Sequence, residues 1–320
     1  MKQVIKRNQG WSFLILSLIL SLFFINQGHA AQPRKKTINL CQASGKNMLQ
    51  SGLAQVRSDY WLALAKADNI PNPGKKKEAQ NAAKKKLEED IELSEDQYEA
   101  RLELCEDLKE EYYQPEINPD HFVDYIDNPY LPLVPGMVFV YEKETAEGLE
   151  TIHFEVTQEK KEILGVNCAV VRDIVHLEGV VVEDTFDYFA QDQEGNVWYF
   201  GELSKNYENG ELTDLAGSWI GGVDDAQPGI LMKANPQIGE TYRQEFFLGE
   251  AEDVAGIRSL SESTQVPFGN FINLLETEDY TPITPGANEF KFYHYGTGLV
   301  LVINPETGER TELVDIQYHP

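Results

Sequence analysis

The chain is poor in basic residues. It holds 27 Lys and Arg against 53 Asp and Glu, and its formal net charge at pH 7 is −26. Residues 121–320 carry the excess, with 10 basic and 36 acidic residues. A field of this sign repels phosphate backbones and anionic lipid, so it disfavours nucleic-acid and membrane-surface binding and favours cations or basic partners. An acidic surface that only keeps the protein soluble is the simpler interpretation.

The chain also lacks the sequence patterns of common catalytic sites. H-E-x-x-H, G-x-S-x-G and G-x-G-x-x-G do not occur, and the six histidines are scattered. Carboxylates are too numerous for any one pair to indicate glycosidase chemistry. Of the three cysteines, Cys168 alternates with Val166 and Val170, a pattern typical of a buried, inert thiol. The sequence therefore predicts no catalytic residue.

Only the N-terminus has a long apolar run. Basic residues precede Trp11–Ile25, and Gly28-His29-Ala30 places small residues at the −3 and −1 positions of a signal-peptidase site. This pattern predicts a signal peptide over residues 1–30 that is cleaved after Ala30. The mature chain is then secreted or periplasmic, without a membrane span. An uncleaved N-terminal anchor is the alternative.

Residues 31–115 have the pattern of a helical hairpin. Between Leu40 and Asn69, and again between Lys75 and Tyr113, apolar residues recur at steps of three and four. Pro71-Asn72-Pro73-Gly74 breaks the pattern between the two segments. The buried stripes are predicted to be Leu49, Leu53, Val56, Tyr60, Leu64 and Ala67 on the first helix, and Ala83, Leu87, Ile91, Tyr98, Leu102, Cys105, Leu108 and Tyr112 on the second.

Two cysteines lie at matching positions of this hairpin. Cys41 is 32 residues before Pro73, and Cys105 is 32 residues after it. Residues equidistant from the turn of an antiparallel hairpin are neighbours, so the spacing predicts a disulfide between Cys41 and Cys105. An oxidising compartment outside the cytoplasm permits that bond.

Residues 116–320 change to short runs rich in β-branched and aromatic residues, separated by turn signals. The alternation in Thr151–Thr157 is typical of a half-buried antiparallel strand. We therefore expect an α+β protein with a disulfide-closed helical hairpin followed by an acidic, mainly antiparallel β domain, in the form of a curved sheet, half-barrel or sandwich. Two long segments, Gly217–Gln237 and Gly249–Asn288, are expected to interrupt the strands.

The stretch FDYFAQDQEGNVWYFGE, residues 186–202, allows three interpretations. It is a hairpin, a cation loop or an aromatic ligand platform. The spacing of an EF-hand loop is absent, because the glycine comes at position 4 rather than 6, and this mismatch favours the hairpin. The aromatic residues leave both faces of the hairpin apolar, so the second face is either covered or lines a cavity. Candidate ligand-binding residues are Tyr188, Trp198 and Trp219.

A second candidate site is acidic. Glu250, Glu252 and Asp253 precede an apolar stretch, which is typical of a helix start and could also gather oxygen ligands for a hard cation. No cofactor is predicted, and calcium is the metal ion that these acids would suit. A metal that activates water there would make the protein a hydrolase.

Five segments resemble a group of uncharacterised secreted bacterial proteins. They are YEARLELC (98–105), DNPYLPLVPG (127–136), GNVWYFGE (195–202), YRQE (242–245) and GEAED (249–253). The resemblance covers about the whole mature chain and implies export and one shared architecture. It carries no known activity, ligand or catalytic residue.

These patterns predict an exported binding protein without catalytic activity, whose ligand is a small apolar molecule, such as a lipid, or a cation. The alternatives are a metal-dependent hydrolase using loop carboxylates and a protein–protein interaction or structural envelope protein. For the last, the lysines at 75–77 and 84–86 near the hairpin tip are either a solvated face or a contact for an anionic protein partner.

Overall fold

A computed structural model of the protein describes residues 39–110 and 112–319. The predicted signal peptide, the cleavage site after Ala30 and the predicted start of the helical segment at residue 31 lie outside these ranges. Within them, no helix has both the length and the apolar character needed to cross a membrane.

Two long helices begin the described chain. Helix α1 spans Leu40–Asp68 and helix α2 spans Pro73–Leu108. Each begins at an asparagine whose side chain accepts a backbone N–H: Asn39 Oδ1 accepts from Gln42 at 3.2 Å, and Asn72 Oδ1 accepts from Lys75 at 3.0 Å. These N-caps satisfy donors that a helix start otherwise leaves free. The two helices pack along each other as the predicted hairpin.

The disulfide between Cys41 and Cys105 is confirmed, and it joins the two helices at the open end of the hairpin. The Cα atoms of the two cysteines lie 5.9 Å apart. The predicted stripe is wrong at Tyr112, which is 61% exposed. Helix α2 ends before it, because Lys109 adopts a left-handed conformation with φ of 54°.

Antiparallel strands make up most of the remaining chain. A single 3-10 turn at Pro119–His121 precedes the first strand. The described strands are β1 Phe122–Val123, β2 Met137–Thr145, β3 Gly148–Ile163, β4 Val166–Leu177, β5 Val180–Asp192, β6 Val197–Leu203, β7 Asn206–Glu208, β8 Glu211–Asp214, β9 Trp219–Ile220, β10 Gln227–Met232, β11 Thr241–Arg243, β12 Glu245–Phe246, β13 Val254–Val266, β14 Gly269–Tyr280, β15 Asn288–His294, β16 Gly298–Ile303 and β17 Arg310–Tyr318.

The strands form one large sheet that nearly closes on itself. From β13 the order runs through β14, β15, β16, β17, β2, β3, β4, β5 and β6 to β10, each strand antiparallel to the next. β10 then pairs with β12, while β11 pairs with β13. Only Gln244 separates β11 from β12, so this short segment joins the two ends of the sheet. The α+β fold class is confirmed.

A glycine permits the close approach at this junction. A Cβ atom added at Gly229 of β10 would overlap the backbone of Gln244 and Glu245. Any larger residue would therefore force β10 and β12 apart. Closure of the sheet therefore requires a glycine at position 229, which strand propensity alone would not predict.

The sheet has apolar residues on both faces. The main core lies inside the curve and includes Phe139, Val171 and Phe189. A smaller cluster on the other face contains Cys168 and Tyr188, and Ile117 and Phe122 pack against it. Phe122 places its ring 5.5 Å from that of Phe200. The second face is therefore covered by the chain that links the helices to the sheet.

The expectation that Gly217–Gln237 and Gly249–Asn288 interrupt the strands is wrong. Strands β9 and β10 lie within the first of these segments. No helix begins at Glu250–Asp253; strand β13 starts at Val254 and forms a long hairpin with β14. Several apolar residues of this hairpin, including Ile257, Leu274 and Leu275, are fully buried. Burial of these side chains in the main core favours the strand conformation over the helix that the preceding acidic residues indicated.

The helices and the sheet belong to one compact unit. Arg101 of α2 donates to the buried carboxylate of Glu252, and Gln97 Nε2 donates to the Ile283 carbonyl at 2.7 Å. Nearer its tip, the hairpin has no such bond to the sheet among the described residues, and Trp61 is 65% exposed. The base of the hairpin is thus fixed to the sheet while its tip lies in solvent.

Candidate functional site

The curved sheet forms a cavity of about 490 Å³ that is partly open to solvent. Its wall is built by inward-facing side chains of β2, β3, β4, β5, β10, β15, β16 and β17, with Leu131 from the preceding loop. Alternation along each strand places every second residue on this face. The apolar wall consists of Leu131, Tyr141, Ile152, Phe154, Val175, Val182, Phe189, Leu231, Tyr293, Leu299 and Val302, and the polar wall of Lys143, Glu150, Asp173, Glu183, Glu289, Lys291 and Thr311.

Both lysines of the wall are already paired. Lys291 Nζ lies 2.9 Å from Asp279 Oδ2, and Lys143 Nζ lies 3.3 Å from Glu150 Oε2. Burial alone would lower the pKa of Lys291, but Asp279 and its neighbours raise that pKa well above its usual value. Lys291 is therefore a fixed cation whose charge Asp279 balances.

Asp173 stands in a different environment. Its Oδ1 atom is buried and has no hydrogen-bond partner among residues 39–110 and 112–319. Burial, with further contributions from Asp187, Glu183 and Glu202, raises the pKa of Asp173 well above its usual range. A buried carboxyl oxygen without a donor favours any hydrogen-bond donor that a ligand brings to it, and a cation above all.

Further acids continue this negative region along β5 and β6. Burial raises the pKa of Asp187 to about 7, although the Tyr199 hydroxyl donates to its Oδ1 at 2.6 Å and opposes the shift. Burial and the nearby Asp187 raise the pKa of Glu202 to about 8. Within the described chain, no basic side chain forms an ion pair with either acid. Near neutral pH this interior therefore holds protons that a bound cation could displace.

The hairpin interpretation of residues 186–202 is confirmed. Strands β5 and β6 pair as neighbours, and Gly195 has φ of +92° in the turn between them. Asp192 uses both carboxylate oxygens inside this turn. Its Oδ1 accepts the backbone N–H of Glu194 and Asn196, and its Oδ2 accepts from the Asn196 amide and Trp198 Nε1, all at 2.8–2.9 Å. Its oxygens are thus committed to the turn.

The three candidate ligand-binding aromatics do not converge. Tyr188 and Trp219 both line an open groove of about 420 Å³, but Trp198 does not. Tyr188 is 8% and Trp219 is 4% exposed, so they offer little surface to a ligand. Trp219 packs edge-on against Tyr199, with ring centroids 5.4 Å apart. None of the three lines the interior cavity.

The three candidate metal ligands, Glu250, Glu252 and Asp253, differ in their exposure and in their partners. Glu250 is exposed, Asp253 is half-buried and Glu252 is 2% exposed. Arg101 Nη2 lies 2.6 Å from Glu252 Oε1, which also accepts the Gly249 N–H at 2.8 Å. An ion pair thus occupies the most buried of these carboxylates. Across residues 39–110 and 112–319, no group of three or more His, Cys, Asp or Glu residues has the geometry to hold a metal ion.

The surroundings of Cys168 do not favour a reactive thiolate. Cys168 is fully buried and not disulfide-bonded, and burial raises the pKa of its thiol to about 12. A thiol needs a lowered pKa to react readily near neutral pH. This agrees with the inert role that its strand pattern indicates.

Sequence reasoning missed the residues of the interior cavity. Asp173 and Lys291 lie on strands far apart in the chain, and neither belongs to a motif. One signal was present for Asp173, which carries a charge where strand β4 otherwise places apolar residues, in the series Val171, Asp173 and Val175. A charged residue in such a series indicates an inward-facing polar group.

Comparisons with known proteins add little to this geometry. No protein-family model matches the chain, and no curated protein matches it. One solved structure, a Parabacteroides distasonis ATCC 8503 protein provisionally assigned as a lipoprotein, is similar with a TM-score of 0.32 and 14% identity. The match covers 59% of this chain and 98% of that chain. At this score nothing about the present protein follows from the likeness.

Proposed function

We propose that this is an exported binding protein that holds a small molecule in its interior cavity and has no catalytic activity. The ligand has an apolar body and a hydrogen-bond donor. The single observation that carries this proposal is the cavity itself, with one unpaired carboxyl oxygen, that of Asp173, in a largely apolar wall. Small-molecule sites usually combine an apolar enclosure with a few convergent polar groups.

The size of the cavity supports a small ligand. Its volume of about 490 Å³ falls within the roughly 300–1,000 Å³ that is usual for ligand pockets. Phe154, Phe189 and Leu299 supply flat and branched apolar surface to it from strands β3, β5 and β16. Burial of apolar ligand surface against such walls is the main source of affinity.

The acidic residues near the cavity favour a ligand whose hydrogen-bond donor is positively charged. Asp173 lies near Glu183, Asp187 and Glu202, while the lysines of the wall are paired with other acids. A protonated amine can displace a proton from these acids and pair with the carboxylate that remains, whereas a ligand carboxylate finds no free cation here. We therefore infer that an apolar amine is preferred over an apolar acid of the same size.

Export is part of the proposal. The predicted signal peptide, the disulfide-forming pair Cys41 and Cys105, and the resemblance to secreted bacterial proteins all support it. Stable disulfides are characteristic of compartments outside the cytoplasm. The interior site would then meet its ligand in the periplasm or outside the cell.

A matched pair of fluorescent probes tests the site. The dissociation constants of 1-naphthylmethylamine and 1-naphthylacetate are measured by titration at pH 7. We expect the amine to bind at least about tenfold more tightly, and Asp173→Asn to remove most of that difference. Asp315→Asn, on an exposed position, is the control. Equal affinity of both probes, or tighter binding of the acid, would overturn the amine preference.

A cavity-filling pair tests the location. Leu299→Trp places a large ring in the cavity and should abolish binding of the amine, whereas Val180→Trp on the exposed surface should not. Val302→Phe fills the same space from a neighbouring position if Leu299→Trp folds poorly. Unchanged affinity in the folded cavity variants would show that the probe binds elsewhere.

A further inference from the structure

A second cavity lies where the helical hairpin meets the sheet. Its volume is about 210 Å³, and it lies beside the Cys41–Cys105 disulfide. Leu104, Tyr113, Phe246 and Leu248 contribute its apolar wall. At about 30 Å³ per molecule, the space corresponds to roughly seven waters. It is too small for a drug-sized ligand and large enough for a short acyl chain.

Arg243 supplies an unsatisfied donor on this wall. The residue is 6% exposed, and its Nη1 has no hydrogen-bond partner in the described parts of the chain. Its guanidinium lies 4.5 Å from the Phe246 ring centroid and 5.5 Å from that of Tyr113. The two rings restrict the position of the guanidinium. A buried guanidinium with a free donor favours any acceptor that a ligand in the adjoining cavity brings to it.

The other charged groups of the cavity balance one another. Arg243 Nε donates to Glu110 Oε2 at 3.1 Å, and Arg101 forms a two-point pair with Glu252. Two guanidinium groups thus face two carboxylates. A ligand carboxylate would add an uncompensated negative charge beside Glu110, while a carbonyl oxygen would accept from Nη1 without changing this balance.

From this geometry we infer a second binding site, at the junction of the hairpin and the sheet, for a small neutral molecule with a carbonyl acceptor on a short apolar chain, such as an amide or an ester. This site is separate from the interior cavity. Its ligand differs in charge from the amine proposed there, so either site can be disproved without the other.

Two probes of equal length distinguish the ligand classes. The affinities of hexanamide and hexanoate for the full mature protein are measured at pH 7 by saturation-transfer NMR titration. We expect hexanamide to bind and hexanoate to bind at least about tenfold more weakly. Arg243→Lys keeps the charge but removes the planar fork, and should weaken hexanamide by about tenfold or more, as expected for the loss of a hydrogen bond to a charged group.

Glu110→Gln provides the sharper variant because it should reverse the preference. Without the Glu110 charge the cavity becomes net positive, so hexanoate should bind more tightly than hexanamide. Ser44→Phe should block the cavity from α1, and Ser51→Phe, on the exposed side of the same helix, is its control. Tighter binding of hexanoate by the unmodified protein, absence of hexanamide binding, or an unchanged preference in Glu110→Gln would each overturn the inference.

Discussion

Arg101 of α2 and Glu252 before β13 form a buried, two-point ion pair that links the helical hairpin to the sheet. Arg101 Nη2 lies 2.6 Å from Glu252 Oε1, and Arg101 Nε lies 3.1 Å from Oε2. Both side chains are less than a tenth exposed. A carboxylate that reads in the sequence as a metal ligand thus serves as the attachment point of the helices.

Removing one partner of this pair should destabilise the protein strongly. Glu252→Ala leaves the Arg101 charge buried without a partner, and losses of this kind are on the order of 3–5 kcal/mol. Urea unfolding followed by circular dichroism measures the change. Glu250→Ala, at the exposed neighbouring position, should change the free energy of unfolding by less than about 0.5 kcal/mol. A comparable loss in both variants would contradict the role given to Glu252.

The buried acids should make the protein less stable as the pH rises. The folded-state pKa of Asp187 is about 7, above its ordinary value of 3.8. Between these values the folded state holds a proton on Asp187 that the unfolded state has released. The contribution of Asp187 to the free energy of unfolding therefore falls with increasing pH and levels off above about pH 7. Asp187→Asn should leave stability unchanged near pH 4 and raise it by on the order of 2 kcal/mol at pH 8.

Chemical denaturation at a series of pH values checks this slope. The asparagine keeps an oxygen acceptor for the Tyr199 hydroxyl, so the comparison isolates the charge. An Asp187→Asn protein whose stability falls with pH as steeply as that of the unmodified protein would show that Asp187 does not titrate in this window.

Asp192 should stabilise the β5–β6 turn without any metal ion. Its carboxylate accepts four hydrogen bonds within the turn. Asp192→Ala leaves several donors unsatisfied and should cost about 1–3 kcal/mol of stability, whereas Glu194→Ala should have little effect. Thermal melts with calcium and with EDTA should coincide. A melting temperature that calcium raises in the unmodified protein but not in Asp192→Ala would restore the cation-loop interpretation.

Loss of the disulfide should destabilise the hairpin. Cys41 and Cys105 close a loop with a sequence separation of 64, for which chain entropy predicts a contribution of about 4 kcal/mol. The double substitution Cys41→Ser with Cys105→Ser should therefore lower the melting temperature. Thiol titration of the unfolded, non-reduced protein should detect Cys168 alone. Detection of three thiols would contradict the bond.

Local patterns were enough to predict the helices, the disulfide and the change to antiparallel strands in the second part of the chain. The break at Pro71–Gly74 fixed the centre of the hairpin, and the two cysteines followed from symmetry about it. Strands β13 and β14 were missed because their sequences resemble helices: acids precede Val254, and Phe271, Leu274 and Leu275 recur at steps of three and one. Long-range pairing decided their structure.

The interior site could not be predicted, because its residues meet only through closure of the sheet. Asp173 on β4 and Leu299 on β16 line one cavity although the sequence gives no sign that their strands share a curved wall. The β10–β12 and β11–β13 pairings that close the sheet involve very short strands. The aromatic candidates Tyr188 and Trp219 do not line this cavity, and most of their surface is buried.

Native mass spectrometry of the mature protein, purified from an exporting bacterial host, tests the central claim most directly. We predict a chain that begins after Ala30, contains one disulfide and carries an additional non-covalent mass of a small molecule. The Leu299→Trp protein, prepared in the same way, should lack that mass, and Val180→Trp should retain it. A bare chain in the unmodified protein, or a ligand retained by Leu299→Trp, would contradict the interior binding site.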